Sequence, residues 1–278
     1  MPSTAAASDL VIRPFAHPDE YEACTQFQED IWGRGFNERV SAAILMVANR
    51  IGGLSAGAFD PDGVLQGFVF GLTGIEEGEL IHWSDMLAVR AGRRDEGLGT
   101  RLKHYQREVL LARGVRRMRW TFDPLQSRNA YVNLRKLGIV TDEYVQDMYG
   151  DTGSPLHRGV GTDRLVAFWE MDSPRAEKRI RGEELPPDDS LVDVLPRVFP
   201  TNEAGSLLAP GSVVLNLDSP ALLLSIPVDL DRIIELDPEL AVRWREVTRE
   251  AFQHYLPRGY RVTELVPQDQ VSHYLLTR

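Results

Sequence analysis

The chain is short of sulfur: its 278 residues include one cysteine, Cys24. A single thiol excludes an intrachain disulfide and any thiolate-rich metal site. Cationic charge is short as well, with 31 Lys and Arg against 41 Asp and Glu and a formal net charge of −10 at pH 7. That sign argues against nonspecific nucleic-acid binding, which relies on cationic groups, and suits a cationic or amine-bearing substrate. No stretch reaches the ~20 apolar residues of a membrane span. Residues 1–9 lack the apolar core of a secretory signal. The expectation is a soluble, cytoplasmic protein with neither a membrane nor a nucleic-acid partner. The six histidines are scattered without metal-ligand spacing, and no Gly-x-Ser-x-Gly elbow occurs. No metal is expected.

What the chain does carry is a glycine turn between a strand and a helix. Residues 80–89 read as a strand and 98–113 as a helix, joined through Arg94-Asp95-Glu96-Gly97-Leu98-Gly99-Thr100. Such a junction exposes unpaired backbone N–H groups at the positive end of a helix dipole, where phosphate binds. Without a Cβ, Gly97 and Gly99 let a ligand oxygen approach the backbone. Arg93, Arg94 and Arg101 add cationic donors. The spacing narrows the ligand. A P-loop ends in Gly-Lys-Ser/Thr, whereas Gly99 is followed by Thr100 and Arg101. The dinucleotide fingerprint needs a small residue where Leu102 stands.

The remaining pattern, Arg94-x-x-Gly97-x-Gly99 with Val89 five residues before the Arg, resembles the acyl-CoA pyrophosphate loop Q/R-x-x-G-x-G/A of the GNAT N-acyltransferase superfamily. Asp95 stands where that family often has its first Gly. A second stretch, 127–139, is similar to the family's later helix, roughly N-x-x-A-x-x-L-Y-x-K-x-G-F. Ala130, Lys136, Leu137 and Gly138 fall in register. Leu134 takes the place of the Tyr that often protonates the departing CoA thiolate, and Tyr131 lies about one helical turn earlier.

The resemblance implies an acyl-CoA-binding domain over residues 9–172. Acetyl-CoA or another acyl-CoA would be the co-substrate and a small-molecule amine or amino acid the acceptor, with peptide termini also open. It implies that backbone groups at Leu87, Val89 and Arg94 to Thr100 hold the acyl-CoA, with Asn129 and Asn133 near the pantetheine or phosphates. It also implies that the strand before the loop splays from the next one, freeing N–H and C=O groups for the pantetheine amides.

Periodicity gives the same order independently. Strands are expected at 10–15, 54–59, 64–72, 80–89, 115–122, 139–149 and 164–171, and helices at 18–32, 41–51, 98–113 and around Ala130. Asp60-Pro61-Asp62-Gly63 marks a hairpin turn. The fold class is α+β with a mixed sheet. Residues 173–211, with Pro186-Pro187-Asp188-Asp189, read as a linker or wrapping arm. Residues 212–278 read as a smaller β-β-α-β-β module with strands at 212–217, 221–227, 260–266 and 271–276. Its helix is capped by Asp237, opened by Pro238, and carries Leu240, Trp244, Val247, Ala251, Phe252 and Tyr255 on one side. A four-stranded module covers one face of itself. It should therefore dock on the first domain or build a homodimer.

Acyl transfer to an amine needs a base, oxyanion donors and help for the leaving thiolate. On the strand before the loop, Asp85 is the leading base and His82 the second. Alternation puts Asp85 with Leu87 and Val89 on one face, and His82 with Ser84 and Met86 on the other. Tyr131 or water protonates the thiolate. Cys24 lies on a helix far in sequence from the loop, so direct attack without a covalent intermediate is expected. Arg116, Arg117 and Arg119 read as a solvated edge or an adenosine 3′-phosphate site, and Asp123 as a solvated charge or an acceptor contact. The loop 157–161 reads as a cover over the acceptor cleft. The departures at Asp95 and Leu134 motivate an alternative: a CoA-binding regulatory or scaffold module with little turnover.

Overall fold

The structure is a computed structural model, which describes residues 9–94, 96–150, 159–183 and 190–278. Asp95, His157, Arg158 and Pro186-Pro187-Asp188-Asp189 lie outside the described residues. The chain divides into two compact units. The first runs to Trp120 and takes in Glu170–Asp172; the second holds the rest from Thr121.

The first unit is built from β1 (Val11–Pro14), α1 (Pro18–Trp32), α2 (Ala42–Arg50), β2 (Leu54–Phe59), β3 (Leu65–Glu76), β4 (Glu79–Val89), α3 (Leu98–Ala112) and the start of β5 (Arg117–Phe122). Strands β1 to β4 form an antiparallel meander, and β5 runs parallel to β4. Local chemistry sets the ends. Pro18 opens α1, with Glu20 accepting from the Ala16 N–H at 2.7 Å. Ser41 caps α2. In the β2–β3 turn, the Asp60 carboxylate accepts from the Asp62 and Val64 N–H groups while Gly63 sits at φ +80°.

One cluster joins Cys24, Phe27 and Leu45 of α1 and α2 to Phe68, Phe70, Met86 and Ala88 of the sheet. Another joins Leu98 and Leu102 of α3 to Leu54, Ala56, Ala58 and Val69. Because both faces are covered, every residue of β2 is buried.

The second unit continues with α4 (Ser127–Tyr131), which runs on as a π-helix over Val132–Leu137, then β6 (Val140–Val145), β7 (Arg164–Glu170), α5 (Pro174–Arg181) and α6 (Leu191–Val194). It ends with β8 (Thr201–Ala204), β9 (Leu207–Pro210), β10 (Ala221–Pro227), α7 (Leu230–Leu236), α8 (Pro238–Tyr255), β11 (Arg261–Pro267) and β12 (Val271–Thr277). Its sheet runs β7-β6-β11-β12-β10, antiparallel throughout. Helix α8 lies across it, stacking Phe252 on Tyr144 of β6 at 5.3 Å and setting it edge-on to Tyr274 of β12 at 5.7 Å.

This corrects the expected domain limits of 9–172, 173–211 and 212–278. Strand β11 pairs with β6 at Val262↔Thr141, so the C-terminal elements share a sheet with the end of the expected first domain. Residues 173–183 are no loose linker. Ser173 caps α5, Arg175 of that helix donates to Gly138 O at 2.9 Å, and Arg179 pairs with the buried Glu264 of β11. Residues 212–217 form no strand. Instead their backbone serves as partner, Val214 N donating to Val198 O and the Tyr255 hydroxyl to Val214 O.

Strand β5, helix α4 and hairpin β6–β7 are followed later by strand β10, helices α7 and α8 and hairpin β11–β12, and the two hairpins meet antiparallel at β6 and β11.

Candidate functional site

The end of β4 is where the sheet opens. Strands β4 and β5 pair only at Ile81↔Arg117, His82↔Met118 and Trp83↔Arg119. On its other edge β4 stays paired to β3 as far as Gly67↔Val89. From Ser84 onward β4 therefore has one free edge, and Leu87 and Val89 lie along it. The cause is a bulge: Leu72↔Trp83 is followed by Phe70↔Met86, leaving Ser84 and Asp85 opposite Gly71. Bulges bend a strand and raise its twist. Only glycine fits at 71, since a Cβ would collide with His82 Nε2 and the Trp83 carbonyl.

The bulge overturns strict alternation. His82 and Ser84 face α3, and so do Leu87 and Val89, which pack on the α3 cluster. Met86 and Ala88 face α1 and α2. Asp85 leaves the strand at the switch. It is exposed, yet the atoms crowding it push its carboxyl above the usual range; Glu38 adds to that rise and the Trp83 side-chain hydrogen bond opposes it. A raised carboxylate pKa suits a general base.

Beyond β4 the chain makes a 3₁₀ turn at Ala91–Arg93, passes Arg94 and Glu96, and enters α3 at Gly97. Gly97 is the N-cap at φ +75°, a left-handed conformation, and among the described residues no side chain caps the helix. The first backbone bond of α3 is Arg101 N–H to Gly97 O. The amides of Leu98, Gly99 and Thr100 are thus the ones that helix geometry leaves over. A Cβ at Gly97 would meet nothing within 4 Å, and one at Gly99 only Leu87 Cδ2 at 3.6 Å. The two glycines hold open a cradle, as a pyrophosphate requires. Gly99→Val should fill it while the helix still forms. CoA affinity by calorimetry should fall at least 100-fold, with the urea midpoint changed little; unchanged affinity would count against a phosphate site here.

His82 stands corrected as a base. It is fully buried, and Thr73 and Gln106 occupy its two ring nitrogens at 2.9 and 3.0 Å. Burial, then the charges of Lys103 and Arg113, pull its pKa down to about 3. The ring is neutral and sealed.

It belongs to a directed chain of hydrogen bonds. Lys103 Nζ donates to Ser84 Oγ at 2.8 Å, Ser84 to Gln106 Oε1 at 2.9 Å, and Gln106 Nε2 to His82 Nε2. That bond leaves the ring proton on Nδ1, donating to Thr73 Oγ1, whose hydroxyl donates to Gly52 O at 2.7 Å. At its head, Lys103 lies 3.9 Å from the Trp120 ring and has no carboxylate partner among the described residues. Cation–π attraction of about 2 kcal/mol favours the ammonium, but stripping water from an ion costs several times that. Burial wins and holds the amine well below its usual pKa.

Tyr131, Asn129 and Asn133 lie in the second unit. Tyr131 is half-buried under Arg135 and Lys136. Asn129 is exposed and accepts from the buried Asn133 Nδ2 at 3.3 Å. Leu134, at the family's Tyr position, is fully buried. Asp123 is taken by both carboxylate oxygens on Arg245, at 2.7 and 2.8 Å. Arg116, Arg117 and Arg119 pair with Asp172, Glu79 and Glu76, an edge of ion pairs. Cys24 is sealed in the core, its thiol pushed up to about 12 by burial, and so is no nucleophile. Among the described residues no group of side chains is set to hold a metal, and no helix is long and apolar enough to cross a membrane.

Up to β7, the strand and helix order, the parallel β4–β5 pair that parts beyond Trp83, and the glycine entry to α3 follow the α+β arrangement expected from the sequence. No family model matches the sequence, and no curated protein does. Solved structures are similar at low identity. YncA from Salmonella typhimurium, solved with its cofactor acetyl-CoA, shares 16% identity over 59% of this chain and 95% of its own, with a TM-score of 0.47. The GNAT-family acetyltransferase from Streptococcus pneumoniae shares 17% over 57% and 98%, with a TM-score of 0.45. A chain of the NatC complex bound to Gag peptide and CoA shares 12% over 58% and 98%, with a TM-score of 0.47.

Proposed function

We propose that this protein is an acyl-CoA-dependent N-acyltransferase that moves an acetyl or larger acyl group to a primary amine by direct attack. The observation that carries the reading is the continuity of β4 and α3: a strand edge freed by a bulge leads into a helix N-terminus that opens on Gly97 and is held open by two glycines. The residues present fit the co-substrate. The amides of Leu98, Gly99 and Thr100 would bind its pyrophosphate, and the free edge at Leu87 and Val89 its pantetheine amides.

Bound acyl-CoA supplies the acyl group activated as a thioester. Asp85 takes the proton from the acceptor amine as its nitrogen forms the new bond to the acyl carbon and the carbon–sulfur bond breaks. With Cys24 buried, no covalent intermediate on the chain is needed. The thiolate takes its proton from Tyr131 or from water. Tyr131→Phe decides between them. Turnover slowed at least 10-fold, with CoA affinity kept, assigns the proton to Tyr131; an unchanged rate assigns it to water.

The test of the whole reading is thiol release from acetyl-CoA in the presence of a panel of diamines, amino acids, amino sugars and peptides, alongside calorimetry with CoA. Thiol release with stoichiometric acyl-amine supports it. Binding without turnover on any amine favours the regulatory or scaffold reading, for which the buried Leu134 speaks.

A further inference from the structure

We propose that Lys103 is a positioning residue for acyl transfer, which fixes the β4 bulge through Ser84 and thereby the direction in which Asp85 leaves the strand. The inference rests on the reading of Asp85 as the base. Its footing is that neither neighbouring strand holds this part of β4. The ladder to β5 has ended at Trp83, and the ladder to β3 skips from Trp83 to Met86. Ser84 and Asp85 have no strand partner on either side. What does grip Ser84 is its side chain, held between Lys103 Nζ and Gln106 Oε1, both on α3. Asp85 is the next residue.

The choice of residue type points the same way. The chain has three lysines and is otherwise supplied with arginine, yet the cation that α3 sets against Ser84 is a buried lysine. An arginine would stay charged there, whereas a lysine can lose its proton and still donate to Ser84. For packing alone a methionine would serve better. Burial disfavours the ammonium in the fold but not in the unfolded chain, so the folded amine holds its proton less tightly. Lys103 therefore lowers stability below its unfolded pKa of about 10, by an amount that shrinks as pH rises toward that value. Residues that work against the fold in this way are expected at functional positions.

The experiment compares Lys103→Met, Ser84→Ala, Ser84→Thr and Asp85→Asn in the full-length chain, singly and with Lys103→Met added to Asp85→Asn. Readouts are kcat and KM for acetyl-CoA and an accepted amine, the CoA dissociation constant, and the urea midpoint at pH 7. Lys103→Met and Ser84→Ala should each lower kcat about 10-fold, with both KM values and the CoA constant within about twofold. The Lys103→Met midpoint should equal or exceed that of the parent. Ser84→Thr, which keeps the hydroxyl, should retain most of kcat. A lysine that acts through Asp85 should add no further loss to Asp85→Asn.

Full kcat in Lys103→Met, with Asp85→Asn slow, overturns the inference alone. So does a multiplicative loss in the double variant, or a joint fall in urea midpoint and CoA affinity. Full kcat in Asp85→Asn instead removes the base reading on which the inference stands.

Discussion

A chain ending at Asp172 should fail to form the second unit and should aggregate, even though it keeps every element from β1 to β7. The reason is the sheet. Strand β6 would lose β11 and present a bare edge, the usual template for association between chains. Helix α8 would go too, uncovering Tyr144.

The charges make the loss steeper. Asp123 is held by Arg245 and the fully buried Asp163 by Arg249 at 2.8 Å, and both arginines lie beyond the cut. Removing one partner of a buried pair costs about 3–5 kcal/mol, and two such losses approach the whole stability of a domain, about 5–15 kcal/mol. Size-exclusion chromatography and urea unfolding check this: the truncated chain should elute as aggregate or show no cooperative transition. A monomer with the parent's urea midpoint would mean that the C-terminal elements are an independent appendage.

Asp85→Asn should lower kcat by roughly 10²-fold or more, leaving CoA affinity within about twofold, because the amide is isosteric but cannot take a proton. The pH dependence supplies an independent sign. Crowding and Glu38 hold the Asp85 carboxyl above the usual carboxylate range. The base is active when ionised, so turnover should be full above that raised value and fall as pH drops through it. The acid limb of the kcat profile should therefore lie at higher pH than an ordinary aspartate gives, and Asp85→Asn should abolish it. Glu38→Gln removes one of the causes and should shift the limb toward lower pH. An acid limb unchanged in Asp85→Asn would assign the titration to another group.

Much of the first unit was written in short stretches of sequence. Pro18, Ser41 and the Asp60–Gly63 turn each act on their own neighbours, so the ends of α1, α2 and the β2–β3 hairpin follow from chemistry within a few residues. The glycine entry to α3 was legible for the same reason: Gly97 and Gly99 act through their own backbone.

The site itself divides along that line. Asp85 could be named from type and spacing, but not its direction, because the bulge depends on Gly71 in another strand and on a register no local pattern carries. Lys103 gave no signal, since a polar residue on an amphipathic helix reads as solvated until Ser84, Met118 and Trp120 close around it.

Domain limits failed most plainly. Composition shifts near residue 173, but the β6–β11 pair joins residues more than a hundred positions apart, and Arg245 reaches back to Asp123. The sequence by itself determined the starts of α1 and α2, the β2–β3 turn and the glycine entry to α3, because caps, proline and glycine work through bonds a few residues long. Tertiary structure alone decided where Asp85 points, that His82 is sealed, and that the C-terminal elements complete the sheet of β6 and β7. Those outcomes rest on strand register and on the desolvation of charge, which exist only once distant segments have come together.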